Sequence, residues 1–174
     1  MSFRIVRTTH LTPHERDELL ALCRAAYDEE LADYLDAAGP GVHLLGRLDD
    51  RLVSHVMLVE RALQPEGLPP LRTGYVELVA THPELQGRGY ASTLMREVPA
   101  LLAPFELGAL APSDPAFYAR FGWEEWTGPL AVRTPRGVEP TPDEALMILR
   151  LPQSPASLDV TRGASIEWRR GEVW

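Results

Sequence analysis

Apolar positions along the 174-residue chain change their period several times, and each change predicts an element. Residues 3–9 show the mixed alternation of a first strand. Thr12-Pro13-His14-Glu15 then has the form of a capping box with proline at the first helical position. The predicted helix carries Leu19, Leu22, Cys23, Ala26 and Tyr27 on one apolar stripe. Asp28-Glu29-Glu30 opens a polar segment with a short second helix expected through Leu35, closed by Gly39-Pro40-Gly41. Residues 42–48 and 52–63 read as strands of a hairpin turning at Asp49-Asp50-Arg51. A proline-rich loop over 64–70 leads into a strand over 71–81. Leu94, Met95, Val98, Leu101 and Leu102 give helical spacing over 90–102, and Pro99 is expected to kink or shorten that helix.

The second half continues in the same way. Residues 105–110 form a short apolar run, the pattern of a buried strand, and Ser113-Asp114-Pro115 has the chemistry of a helix start, with Gly122 at its end. Strands are expected at 130–134 and 145–151 around a loop at 136–144, followed by a polar tail over 152–174. The order β-α-α-β-β-β-α-β-α-β-β, without internal repeat, predicts a single α+β domain over residues 1–174.

Composition narrows the function. At 45% hydrophobic residues the chain can bury a core without staples. Cys23, the single cysteine, sits on the apolar stripe and reads as core, not as a nucleophile. The net charge of −8 argues against nucleic acid as the main ligand and suits a cationic substrate. The opening MSFRIVRTTH has no long apolar run and no window approaches a membrane span, so a cytoplasmic protein without a membrane partner is expected. The five histidines show no metal-ligand spacing, and no metal is expected; His82 stands as a secondary candidate base.

The chemistry concentrates in residues 84–95, ELQGRGYASTLM. Glycines at a helix start let backbone N–H groups and the helix dipole meet a phosphate. A Walker A run is absent. Gly87-x-Gly89-x-x-Ser92 approaches the dinucleotide fingerprint, but residues 81–86 separate the strand from the first glycine, and the upstream strands read as an antiparallel meander. Gln86-Gly87-Arg88-Gly89-Tyr90-Ala91 instead fits Q/R-x-x-G-x-G/A, and with the preceding YVELVATHP it resembles the pyrophosphate loop and fourth strand of the GNAT superfamily of acyl-CoA N-acyltransferases. That resemblance implies a mixed, mostly antiparallel sheet of about seven strands, a V-shaped splay between strands four and five, and about four flanking helices. It implies acetyl-CoA as co-substrate. Gln86, Gly87, Arg88, Gly89, Tyr90 and Ala91 would hold its pyrophosphate, and the backbone from Val79 to Thr81 its pantetheine arm. A bulge in strand four would direct the Val79 N–H to the developing oxyanion. Glu77 would act as the base, directly or through water. Tyr118, within DPAFYARFGW, would act as the acid for the departing thiolate, with Phe117 and Phe121 as core.

Further matches extend over nearly the whole chain. Gly74-Tyr-Val-Glu77, Leu107-Gly-Ala-Leu110, Trp123-x-x-Trp126-x-Gly128-Pro129, Thr141-Pro-Asp-Glu144 and the terminal SIEWRRGEVW resemble blocks of the aminoglycoside 2′-N-acetyltransferases. The resemblance implies an acidic ring for a polycationic amine from Glu30 (or its neighbour Glu29), Glu77, Glu144 and Glu172. Trp174 would supply an aromatic wall and its carboxylate, so that the tail contributes to the acceptor site. Leu78 replaces the family's glycine and would narrow the floor of that site, and Ala111 replaces a common serine. Acetyl transfer to the 2′-amine of an aminoglycoside or similar amino sugar is the expected activity. A different polyamine or cell-wall amine, or an acyl-CoA or cation binder without turnover, are the alternatives; Glu77 and Tyr118 argue against the last. A homodimer is a further expectation, from the habit of the superfamily.

Overall fold

Local chemistry sets most element boundaries. In the computed structural model, which describes residues 1–171 and 173–174, strand β1 (Ser2–Arg7) runs through a 3₁₀ turn into helix α1 (Pro13–Tyr27). The Thr12 hydroxyl accepts the Glu15 amide at 3.2 Å and the Glu15 carboxylate accepts the Thr12 amide at 3.0 Å, completing the capping box. Glu15 is buried and also pairs with Arg4; the Thr12 amide, foremost, holds its carboxyl below the usual range against the penalty of burial. Then follow α2 (Ala32–Ala38), β2 (Gly41–Leu48), β3 (Arg51–Pro65), β4 (Leu71–Thr81) and α3 (Tyr90–Leu102), which continues through Pro99. The remainder comprises β5 (Leu107–Leu110), α4 (Pro115–Ala119), β6 (Glu124–Glu125), β7 (Leu130–Thr134), β8 (Gly137–Pro140), β9 (Met147–Arg150) and β10 (Ala164–Glu167). The hydrogen-bonded strand order is β6-β9-β5-β4-β3-β10-β7-β8, with β2 on β3 and β1 on β2. Ten strands among the described residues exceed the expected seven because three short ones, β6, β8 and β10, join the sheet.

The chain forms two compact units, Met1–Val59 with Val76–Pro99, and Glu60–Tyr75 with Ala100–Trp174. In the first, β1, β2 and β3 form an antiparallel meander. Its hairpin turns at Asp49 and Asp50, whose φ values of 47° and 64° are the left-handed pair that a two-residue turn needs to match strand twist. Leu19, Leu22 and Cys23 of α1 are buried, as are Leu94, Met95 and Val98 of α3. Burial raises the Cys23 thiol to about 12, so it stays protonated and unreactive. Tyr27 departs from the expected stripe. It is 39% exposed, and its hydroxyl serves β4 instead of the core.

In the second unit β4 starts parallel to β5, and that register ends at Tyr75↔Ala109. β5 pairs with β9 and β9 with β6, both antiparallel. The end of β3 pairs with β10, which lies parallel to β7, and β7 pairs with β8. Two expectations are corrected. The 136–144 loop contains β8, and the polar tail contains β10, with Ala164 and Ile166 buried between β3 and β7. Polar residues dominate the tail because backbone pairing, not an apolar run, fastens it. The Thr127 and Gly128 amides donate to Val160 O, Trp126 Nε1 donates to Arg162 O, and the Ala164 amide donates to Pro129 O, all at 2.9 Å.

Gly128 permits this fastening, since a Cβ there would lie 1.9 Å from the Arg162 carbonyl oxygen. Backbone cannot yield as a flexible side chain can. Gly128→Ala is expected to lower unfolding free energy by about 2–3 kcal/mol, read as a lower urea midpoint. An unchanged midpoint would mean the 160–163 turn is not held there. Among the described residues no helix is long and apolar enough to cross a membrane.

Candidate active site

The first unit carries the glycine loop. After β4, the His82 amide donates to Val53 O and a 3₁₀ turn (Pro83–Leu85) leads into exposed residues 86–89. Gly87 and Gly89 have φ values of 72° and 83°, a region that side-chain-bearing residues rarely adopt, and a Cβ on either would meet nothing within 4 Å. The backbone is therefore both open to approach and held in the glycine conformation, as a phosphate cradle requires. Gln86 Nε2 ties the loop to Thr81 O at 3.3 Å, and the Thr93 amide closes the first turn of α3 on Gly89 O at 2.9 Å. Arg88 is exposed; Tyr90 and Ala91 are half-buried at the helix start, where the first amides of a helix have no intrahelical partner. Thr81 is buried with its hydroxyl 2.9 Å from that of Ser54. His82 is half-buried, 3.9 Å from the Glu84 carboxylate.

Strand β4 breaks its regular conformation where the expected bulge falls. Leu78 has φ 49°, a left-handed state that costs a leucine about 1–2 kcal/mol. Three neighbours bond to this segment. Tyr34 donates to Glu77 Oε2 at 3.1 Å, Tyr27 donates to Val79 O at 2.9 Å, and His55 Nδ1 lies 2.9 Å from Leu78 O. Glu77 is 5% exposed, so it is not a solvent-facing strand residue. Leu78 and Val79 are half-buried. Sequence reasoning missed the roles of Tyr34 and His55 and placed Tyr27 in the core. His55 also meets His43 (Nε2 to Nδ1, 3.0 Å), and His43 Nε2 meets the Thr8 hydroxyl at 3.0 Å. Both histidines are fully buried, which pushes His43 down to about 4 and His55 to about 3, so both are neutral at neutral pH.

Glu30 and Glu29 lie on the exposed α1–α2 connection of the same unit, with Glu30 paired to Arg24 at 2.8 Å. That pairing competes with any role for Glu30 toward a cationic ligand.

The second unit carries the proposed acid. The Asp114 carboxylate caps α4 through the Ala116 and Phe117 amides, at 3.1 and 3.3 Å. Tyr118 is buried, and burial raises its phenol to about 12, against a hydrogen bond from Ser113 that pulls the other way. The phenol thus keeps its proton at neutral pH. Phe117 and Phe121 are half-buried rather than core and pack edge to face at 5.3 Å, with Arg120 against both rings. Ala111 is exposed just beyond β5.

Two of the matched motifs, the Thr141–Glu144 block and the terminal block, meet. Trp174 is 5% exposed, and its Nε1 donates to Thr141 Oγ1 at 2.9 Å, at the turn that the Glu144 amide closes on Thr141 O. Arg61, which the sequence did not single out, organises the chain end. Its buried guanidinium binds the Glu167 carboxylate (2.6 Å), Glu167 O (2.8 Å) and Val173 O (3.0 Å). A buried arginine within the apolar run of β3 was the available signal. Glu172 lies outside the described residues. Among the described residues no group of three or more His, Cys, Asp or Glu is arranged to hold a metal ion.

The first unit thus joins a glycine loop at a helix start to a strand that turns left-handed at Leu78, beside the buried Glu77. Residues 7–126 match the family model described as an acetyltransferase (GNAT) domain. The chain is 36% identical to an aminoglycoside 2′-N-acetyltransferase of Mycolicibacterium fortuitum, over 98% of this chain and 91% of that one. Its fold is similar to that of the GNAT family N-acetyltransferase YhbS of Escherichia coli, solved in complex with CoA (TM-score 0.64, 20% identity, 96% of this chain and 88% of that chain). It also matches a probable N-acyltransferase of unknown function from Enterococcus faecalis V583 (TM-score 0.58, 25% identity), covering 74% of this chain and 34% of that longer one. The chain belongs to the GNAT family of acetyltransferases and is an acetyl-CoA-dependent N-acetyltransferase.

Proposed function

We propose that the protein acetylates the 2′-amine of an aminoglycoside or a closely similar amino sugar. The observation that carries this reading is the 36% identity, across 98% of the chain, to a protein with that activity in its name. The net charge of −8 favours a polycationic acceptor. Gln86–Ala91 hold the pyrophosphate of acetyl-CoA, for which the left-handed Gly87 and Gly89 and the open space above them are suited. Glu77, oriented by Tyr34, takes the ammonium proton directly or through water. The amine nitrogen bonds to the acetyl carbon, the Val79 N–H holds the charge that grows on the carbonyl oxygen, and the carbon–sulfur bond breaks. Tyr118, whose phenol is protonated at neutral pH, gives its proton to the thiolate. The nitrogen sheds its second proton to solvent on becoming an amide, and Tyr118 regains a proton from solvent. Glu144, Glu172 and Trp174 supply acceptor recognition in this scheme, and Leu78 and Ala111 shape its selectivity.

The test is release of free thiol from acetyl-CoA with paired aminoglycosides that differ in carrying a 2′-amine or a 2′-hydroxyl. Turnover is expected only with the 2′-amine. Silence with both, alongside turnover of another polyamine, would move the acceptor to that amine and leave the enzyme class intact.

A further inference from the structure

We propose that His55 is a positioning residue for acetyl transfer: through its bond to the Leu78 carbonyl it aims the Val79 N–H, the other half of the same peptide group, at the oxyanion. The inference rests on the reading above in one respect, the role given to the Val79 N–H. Its geometry lies wholly within the first compact unit.

A trans peptide group is planar, and its C=O and N–H point in opposite directions, so holding one end fixes the other. Among the described residues there is no cis peptide bond. His55 Nδ1 lies 2.9 Å from Leu78 O, and a carbonyl oxygen can only accept, so Nδ1 carries the proton. His55 is buried and neutral and has one ring proton, so its Nε2 must accept. The ring nitrogen facing it, His43 Nδ1 at 3.0 Å, therefore donates. His43 Nε2 is then an acceptor as well, and the Thr8 hydroxyl 3.0 Å away donates to it. The Thr8 oxygen in turn accepts the Gly41 amide at 2.8 Å. The Thr8 hydroxyl also lies 3.2 Å from Gly41 O, a longer contact that its single proton does not serve while it bonds His43. The pattern is set from the Leu78 end, where the acceptor is fixed. Neither ring can flip or exchange tautomers without breaking a buried bond.

An apolar pair would fill the same space without the cost of burying four ring nitrogens. What the histidines provide is a grip on one peptide group. That group follows Leu78, whose φ of 49° is the one positive φ in β4. Without an anchor on its carbonyl the Leu78–Val79 peptide is free to rotate toward ordinary strand geometry, which carries the Val79 N–H away from its line. Tyr27 on Val79 O fixes the next peptide group, so the donor is braced on both sides.

Two measurements test this. Long-range ¹H–¹⁵N spectra of the imidazoles at pH 7 are expected to show both His55 and His43 as Nδ1–H tautomers. A His55 protonated on Nε2 cannot donate to Leu78 O and overturns the proposal without any substrate being needed. The second compares His55→Phe with His55→Asn, whose amide nitrogen can occupy the place of Nδ1. His55→Phe is expected to lower kcat by about 10- to 100-fold with KM for acetyl-CoA within about twofold, and His55→Asn to recover kcat to within about threefold of wild type. Equal losses in both variants, or an unchanged kcat in His55→Phe, would overturn it. If no aminoglycoside is acetylated, slow hydrolysis of acetyl-CoA gives the same comparison, because the same oxyanion forms. A wrong acceptor and a wrong role for His55 are thus told apart.

Discussion

Glu77→Gln is expected to lower kcat for acetyl transfer by about 10²- to 10⁴-fold, with KM for acetyl-CoA changed by no more than about twofold. The substitution keeps shape and removes basicity. Glu77 is 5% exposed, and Tyr34 donates to its Oε2 at 3.1 Å. A glutamine carbonyl can accept that same bond, so packing and the β4 backbone stay in place. An ammonium substrate must lose a proton before its nitrogen can attack, and a neutral amide does not accept one. The loss belongs to the chemical step and therefore to kcat. Raising pH should recover part of it, as the amine sheds its own proton to solvent. Steady-state kinetics from pH 6 to 9 with a 2′-amino aminoglycoside, beside urea unfolding, make the distinction. A lowered urea midpoint with kcat unchanged would make Glu77 a structural carboxylate and end its assignment as base.

What the sequence made legible depended on how local the cause was. The bounds of β4, α3 and β7 agree with the apolar patterns because each has a strong period and a hard stop. The α1 capping box needs four consecutive residues and was readable for that reason. The glycine loop was readable because its positive φ values leave few residue choices. Strand β10 was not, since four residues between two polar turns carry too little alternation, and its partners on β3 lie about a hundred positions away. The histidine pair was hidden by a single extra residue. The turn pairs Leu48 with Arg51, and continued regularly that register would send His43 and His55 to opposite faces of the sheet. Arg47 still pairs with Leu52, but Gly46 pairs with Ser54, so Val53 is the inserted residue of a bulge, and every later residue of β3 changes face. The bulge is what brings His55 to the side of His43. Tyr27 was misplaced for a related reason: at the last turn of α1 a helical period cannot distinguish an inward ring from one whose hydroxyl reaches a neighbouring strand.

The buried histidines also make stability fall at mildly acidic pH, well before carboxylates matter. Their folded values, about 4 for His43 and about 3 for His55, lie below the ordinary 6.5, chiefly because burial disfavours the charged ring. Below pH 6.5 the unfolded chain binds protons that the folded chain does not, so acid favours unfolding. The contribution of the pair is complete above that pH and is lost as pH falls toward 4. By pH 5 the loss is expected to be on the order of a few kcal/mol for the pair together, a large part of the stability of an ordinary domain. Glu15 and Glu18 act in the same direction at lower pH. The Thr12 amide and the Arg47 guanidinium hold their carboxyls below 4.5, so their contribution fades only beneath that value. The two windows separate the causes. Urea midpoints at pH 7, 6 and 5 should fall in wild type and stay nearly level in a His43→Phe/His55→Phe double variant, with both declining together below pH 4.5. A wild-type midpoint level from pH 7 to 5 would mean that the rings titrate normally. A pair that titrates normally is open to water, and an open pair cannot hold the Leu78 peptide in one orientation.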